Sequence, residues 1–94
     1  MKDYQFTIKA CKAEKSSSGM VLMSPFDVLL QETYTGTLDG LQAYLNIIDL
    51  NLQENNQFAP GNGYSVSIML NHGQRKPANF DSRRRAMSFN YIQG

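Results

Sequence analysis

The 94-residue sequence has very little cysteine and no tryptophan. Cys11 is the one cysteine, which excludes an internal disulfide and a cysteine-based zinc site and favours a reducing, cytoplasmic setting. No run of about 18 apolar residues occurs, so the sequence predicts no membrane span and no membrane partner. The first residues are followed by polar and apolar side chains in alternation, and we therefore expect no secretory signal.

Positive charge is missing from the middle of the chain. Between residues 16 and 74 there is no Lys or Arg, and five acids occur there: Asp27, Glu32, Asp39, Asp49 and Glu54. The last twenty residues set five basic side chains against the single acid Asp81: Arg75, Lys76, Arg83, Arg84 and Arg85. The net charge of +1 therefore conceals an acidic middle and a basic end. Such segregation is typical of a protein that binds charged partners.

Alternating apolar and polar residues predict the strands. The segments that alternate are Tyr4–Ala10, Asp27–Thr35, Tyr64–Leu70 and Arg84–Ile92. In the second, one face is predicted to carry Val28, Leu30, Glu32 and Tyr34; in the last, Met87, Phe89 and Tyr91 are predicted to face the core. Met20–Phe26 is either a strand interrupted at Pro25 or a helical turn capped by Ser24, and we favour the strand. A polar, basic loop is expected over Arg75–Ser82.

One helix is predicted between the second and third clear strands. Thr37 is a good N-cap, Asp39 suits the first turn, and the helix should extend from Leu38 to about Glu54. Its buried stripe is predicted to consist of Leu38, Leu41, Leu45, Ile48 and Leu52. Residues 1–94 should therefore form a single α+β domain: one antiparallel sheet of four to five strands, with a single amphipathic helix packed on it, in the order β-β-α-β-β.

No group of residues predicts catalysis. His72 is the one histidine, lies in an Asn-His-Gly sequence typical of an exposed turn, and has no orienting partner. Asp39 and Asp49 are ten positions apart and are expected to point to solvent. The glycine-rich stretch 60–63 precedes a strand, whereas phosphate-binding glycine loops open a helix. We therefore expect no enzymatic activity, no cofactor and no metal site.

Two surfaces are candidates for partner binding. The basic residues Arg75, Lys76 and Arg83–Arg85 should meet in one hairpin, where they could grip phosphates or an acidic protein, or simply keep an edge strand from aggregating. On the helix, Asp39, Asp49 and Glu54 form an acidic face that is either solvated or imitates nucleic acid. Ala43, Ile47 and Leu50 form a second apolar patch opposite the buried stripe. Either Met20–Phe26 or a partner covers that patch.

In size, composition and element order the chain resembles small inhibitors encoded by phages and mobile elements, of the anti-CRISPR type. The resemblance rests on Tyr4–Ala10 as first strand, Thr37–Glu54 as helix, and Tyr64–Leu70 and Arg84–Ile92 as closing strands. It implies steric blocking of a CRISPR effector complex in the host bacterial cytoplasm. No residue can be carried over position by position, because no shared motif aligns.

The sequence thus predicts a non-enzymatic inhibitor that binds a host protein or ribonucleoprotein complex and blocks DNA or RNA recognition or nuclease recruitment. In this hypothesis the acidic helix face meets basic protein, Ile47 and Leu50 anchor the contact, and the arginines touch acidic protein or bound RNA or DNA. The alternative is a direct RNA- or single-stranded-DNA-binding module that uses the basic cluster. A homodimer through an edge strand or through the Ile47/Leu50 patch stays open.

Overall fold

Two helices and four strands make up the fold in the computed structural model, which describes residues 3–94. The elements follow in the order β1 (Tyr4–Lys15), β2 (Val21–Gly36), α1 (Leu38–Asn55), β3 (Asn62–Leu70), α2 (Phe80–Met87) and β4 (Phe89–Ile92). The strands form one antiparallel sheet in the order β2-β1-β3-β4. This confirms the α+β class and the predicted order of the strands and the main helix, and it adds the second helix α2.

β1 and β2 form a long hairpin whose pairing contains a large irregularity. Ala10 pairs with Leu30, but Cys11 already pairs with Val28, and Ala13 with Met23. The strand predicted on both sides of Pro25 is confirmed. Val28, however, lies on the opposite face of the sheet from Leu30. Leu29 is an extra residue in the pairing, and one extra residue reverses the face to which the following side chains point. The prediction that Val28 and Leu30 share a face was wrong.

The core lies between one face of the sheet and α1. Thr37 caps the helix, since its hydroxyl accepts a hydrogen bond from the Gly40 amide at 3.0 Å. The predicted stripe is buried in full: Leu38, Leu41, Leu45, Ile48 and Leu52. It packs on alternate residues of the two central strands, which are Phe6, Ile8 and Ala10 of β1 and Tyr64, Val66 and Ile68 of β3. The alternate apolar residues of the strands and the apolar stripe of the helix therefore face each other, as the sequence predicts.

The C-terminal region differs from its prediction, because Phe80–Met87 is a helix and only Phe89–Ile92 is a strand. Phe80 and Met87 are seven positions apart, which is about two helical turns, so both reach the core from one side of α2. The ring of Phe80 stacks on that of Phe6, with 5.6 Å between ring centroids. Neither α1 nor α2 combines the length and the apolar character that a helix needs to cross a membrane.

Candidate protein interface

The side of α1 that faces away from the sheet carries exposed apolar residues between acids. We call Asp39, Ala43, Ile47, Leu50 and Glu54 the α1 outer face, because they lie opposite the buried stripe at about 100° per residue. Ile47 is 57% exposed and Leu50 60% exposed. Residues 20–26, which could have covered this patch, belong to the β1–β2 hairpin instead, and nothing among residues 3–94 covers it.

Asp49 does not belong to this exposed surface. It lies half-buried on the flank of α1, where its carboxylate accepts hydrogen bonds from the hydroxyl of Tyr64 and from the Gln53 amide at 3.2 Å. Burial of Tyr64, followed by its hydrogen bond to Asp49, raises the pKa of the Tyr64 hydroxyl well above its usual range. The expectation that Asp49 points to solvent was therefore wrong, and its carboxylate helps to hold α1 on the sheet.

The three consecutive arginines lie on α2 and not in a hairpin. Successive residues of a helix are about 100° apart, so Arg83, Arg84 and Arg85 point in different directions. Arg84 lies over the ring of Phe80, with its guanidinium carbon 5.9 Å from the ring centroid. Arg85 Nε donates to the backbone carbonyl of Asp81 at 3.4 Å. The predicted grouping of these arginines on a hairpin loop was wrong.

Two of the five basic residues Arg75, Lys76 and Arg83–Arg85, which we call the basic cluster, form ion pairs with acids. Lys76 and Asp81 form an ion pair at 2.9 Å, and the hydrogen bond from Lys76 lowers the pKa of the Asp81 carboxyl. Arg83 lies 3.6 Å from Asp39 of α1. Arg75 is exposed in the preceding loop. The basic cluster therefore keeps less free charge than its five cations suggest.

The Arg83–Asp39 pair brings the two predicted surfaces side by side. Both residues border a shallow groove of about 300 Å³, which is also lined by Tyr4, Leu38 and Pro77. The acidic end of the α1 outer face thus adjoins the basic helix α2.

A third surface was not predicted from the sequence as a site. The β2 strand lies at the edge of the sheet. The strand and the residue before it expose a series of apolar side chains: Met20, Val21, Leu22, Met23, Phe26 and Val28. The signal for it was the apolar run 20–23 in a stretch without Lys or Arg. An apolar run of this kind is equally typical of a buried strand, and only the position of β2 at the sheet edge shows that it is exposed.

His72 is the remaining candidate residue for chemistry. His72 lies exposed in a turn, as predicted. Within residues 3–94 no three His, Cys, Asp or Glu side chains come close enough together to hold a metal ion. The chain matches no protein-family model, no curated protein and no solved structure.

Proposed function

We propose that this protein is a non-enzymatic binding protein that uses the α1 outer face to dock on a nucleic-acid-handling protein complex and blocks its access to DNA or RNA. The observation that carries the proposal is the exposure of Ile47 and Leu50 on a helix whose core-facing side is already filled by five buried residues. Neither side chain contributes to the core. Their exposure costs solubility, which a docking role would offset.

The charges around this patch favour a basic partner. Asp39, which also lies 3.6 Å from Arg83, and Glu54 lie at the two ends of the α1 outer face, and α1 itself carries no Lys or Arg. Proteins that handle nucleic acid present Lys and Arg along the path of the phosphate backbone. A helix with acids spaced around an apolar centre can occupy such a path, anchored by Ile47 and Leu50 and oriented by its charges. An inhibitor of the anti-CRISPR type is the specific form of this proposal.

The arginines of α2 are assigned a supporting role. Because Arg83 pairs with Asp39 at the border of the two surfaces, Arg85 and Arg75 are the cations better placed to contact acidic protein or bound RNA. Direct binding of free RNA or single-stranded DNA receives less support, since Lys76 and Arg83 are ion-paired and Arg84 lies over Phe80. Exposed ion pairs are weak, so nucleic acid could still compete for these cations.

Affinity purification from a bacterial lysate, with and without nuclease treatment, tests the proposal. The wild-type protein should retain the same basic, nucleic-acid-handling protein in both samples. Ile47→Asp should lose it, whereas Met69→Asp, which changes a residue of similar exposure on the other face of the sheet, should retain it. If Ile47→Asp retained the partner protein as well as the wild type does, the α1 outer face would not be the binding surface.

A binding assay with free nucleic acid separates the alternative function. A direct nucleic-acid-binding protein would bind single-stranded RNA or DNA with an affinity that falls steeply as salt rises. Replacing Arg83, Arg84 and Arg85 together by Glu would then abolish that binding, and Ile47→Asp would leave it unchanged. If the protein instead binds a protein complex, the wild type and both variants should bind free nucleic acid only weakly.

A further inference from the structure

The distal part of the β1–β2 hairpin carries six of the nine large apolar side chains that are exposed in residues 3–94. We call residues 20–28 the β2 apolar segment. Phe26 is 96% exposed, and the five other large apolar side chains of the segment are between 37% and 63% exposed. Side chains alternate between the two faces of a strand, so Leu22 points to one face and Val21 and Met23 to the other. Exposed apolar side chains on both faces of an edge strand favour a partner that covers the edge itself.

The backbone of this segment is also open to a partner. β2 is an edge strand, and in residues 3–94 it pairs with β1 alone. Edge strands of stable monomers usually carry lysines that prevent association, but β2 has no Lys or Arg in its sixteen residues. Unpaired backbone donors and acceptors therefore lie beside the exposed apolar side chains.

Pro25 and the bulge around it give the segment its shape. Cys11 pairs with Val28 and Ala13 with Met23, so four residues of β2, from 24 to 27, stand opposite Lys12 alone. The thiol of Cys11 donates to the carbonyl of Pro25 at 3.9 Å. Proline and bulges often protect a sheet edge, but this bulge directs Phe26 outward and adds apolar surface.

We infer that the β2 apolar segment is a homodimer interface, in which a second copy of the chain docks with the two β2 strands antiparallel about a two-fold axis. Charge favours this occupant. Asp27 is the one charged residue of the segment, so a strongly acidic or basic partner finds little to complement. A second copy offers an apolar edge strand of matching composition and of low charge.

Size and symmetry support the same occupant. Phe26 alone presents roughly 200 Å². The five other side chains add apolar surface on both faces of the strand, and a second β2 strand paired at this edge would contact both faces. The opposite edge strand, β4, has only four residues. Pairing β2 with itself closes the assembly at two copies, whereas pairing β2 with β4 of the next copy would produce an open chain.

This inference does not depend on the proposed function, because the α1 outer face and the β2 apolar segment belong to different elements. Sedimentation velocity across a dilution series of the full chain tests it. The wild-type protein should be a dimer that dissociates on dilution. Phe26→Asp and Leu22→Lys should each raise the dissociation constant at least tenfold, because each places a charge in the interface.

Met69→Lys is the matched control, since it introduces the same kind of charge at a residue 62% exposed on β3, a central strand. It should leave the dimer unchanged. Circular dichroism verifies that each variant is folded, which we expect for Phe26→Asp because that side chain is almost fully exposed. A wild-type monomer at all concentrations, or a dimer unaffected by both β2 variants, would overturn the inference. A dimer abolished by Ile47→Asp and not by Phe26→Asp would overturn it as well.

Discussion

The hydroxyl of Tyr64 donates a hydrogen bond to the carboxylate of Asp49 and thereby joins the centre of the sheet to the flank of α1. Tyr64 is fully buried, and its ring stacks on that of Tyr91 with 5.3 Å between ring centroids. The same hydroxyl lies 3.2 Å from the backbone carbonyl of Asp49. A buried polar group needs such acceptors, because an unsatisfied hydroxyl in the core is costly.

Asp49→Ala should lower the free energy of unfolding by about 1 to 2 kcal/mol, because Tyr64 keeps only the backbone carbonyl as an acceptor. Urea denaturation measures the change. Glu54→Ala, on the exposed side of the same helix, is the control and should leave stability unchanged. Equal stability of the two variants would mean that the carboxylate contributes nothing to holding α1. Asp49→Ala is also a poor probe of partner binding, since any loss of binding could follow from the loss of stability.

Alkaline pH should destabilise the protein through Tyr64. Its pKa is raised above the ordinary value of 10.0, so above that pH the unfolded chain loses the proton while the folded chain keeps it. The folded state then binds more protons, and the free energy of unfolding falls as pH rises, by up to about 1.4 kcal/mol per pH unit. The stabilising effect is complete below pH 10 and is lost toward the folded-state pKa.

Urea denaturation at a series of alkaline pH values, with wild type and Tyr64→Phe compared, checks this pH dependence. Tyr64→Phe should show a smaller decline. The pKa of Tyr44 is also raised, mainly by its hydrogen bond to Glu32, so the double variant Tyr44→Phe/Tyr64→Phe should decline less again. A decline of unchanged slope in Tyr64→Phe would contradict the assignment to this residue.

Local patterns account for the parts of the fold that the sequence predicts well. The stripe from Leu38 to Leu52 recurs at helical spacing behind the Thr37 cap, so the helix is specified within its own residues. The strands Tyr4–Ala10 and Tyr64–Leu70 alternate strictly, and half of their residues face α1. In these elements no distant contact is needed to choose between helix and strand.

Helix α2 could not be predicted in the same way, because two patterns overlap in its sequence. Met87, Phe89 and Tyr91 alternate as in a strand, whereas Phe80 and Met87 have helical spacing. The contact of Phe80 with Phe6, which is far away in the sequence, supports the helical arrangement. The pairing of Tyr64 with Asp49 across two elements likewise has no local signal, so the role of Asp49 was misjudged.

Phe80→Ala should detach α2 from the core. A helix of eight residues is too short to be stable by itself, so it depends on this anchor. Truncation of a buried Phe to Ala lowers the free energy of unfolding by about 3 to 5 kcal/mol when the residue belongs to the core of the domain. Hydrogen exchange should show faster exchange of the amides of Arg83 and Ser88, which bond to the carbonyls of Asn79 and Arg84.

Arg85→Ala is the control for this anchor, because Arg85 is exposed on the same helix. Its exchange rates should match those of the wild type. If the amides of α2 stay protected in Phe80→Ala, the stacking on Phe6 does not hold the helix. The arginines would then owe their position to other contacts, such as the pair between Arg83 and Asp39.

Gly63→Ala should separate β4 from β3. Gly63 pairs with Ile92, and a Cβ atom at this position would overlap the backbone carbonyl of Tyr91, which cannot rotate away as a side chain can. Forcing an extra methyl group into a close contact costs about 1 to 3 kcal/mol. The matched control is Ser65→Ala, two residues along the same strand and on the same face, where an alanine fits in place of an existing side chain. Urea denaturation followed by tyrosine near-ultraviolet circular dichroism should show a lower midpoint and a weakened Tyr64–Tyr91 signal for Gly63→Ala alone. An identical midpoint for both variants would show that β4 shifts freely and that its pairing is not required for stability.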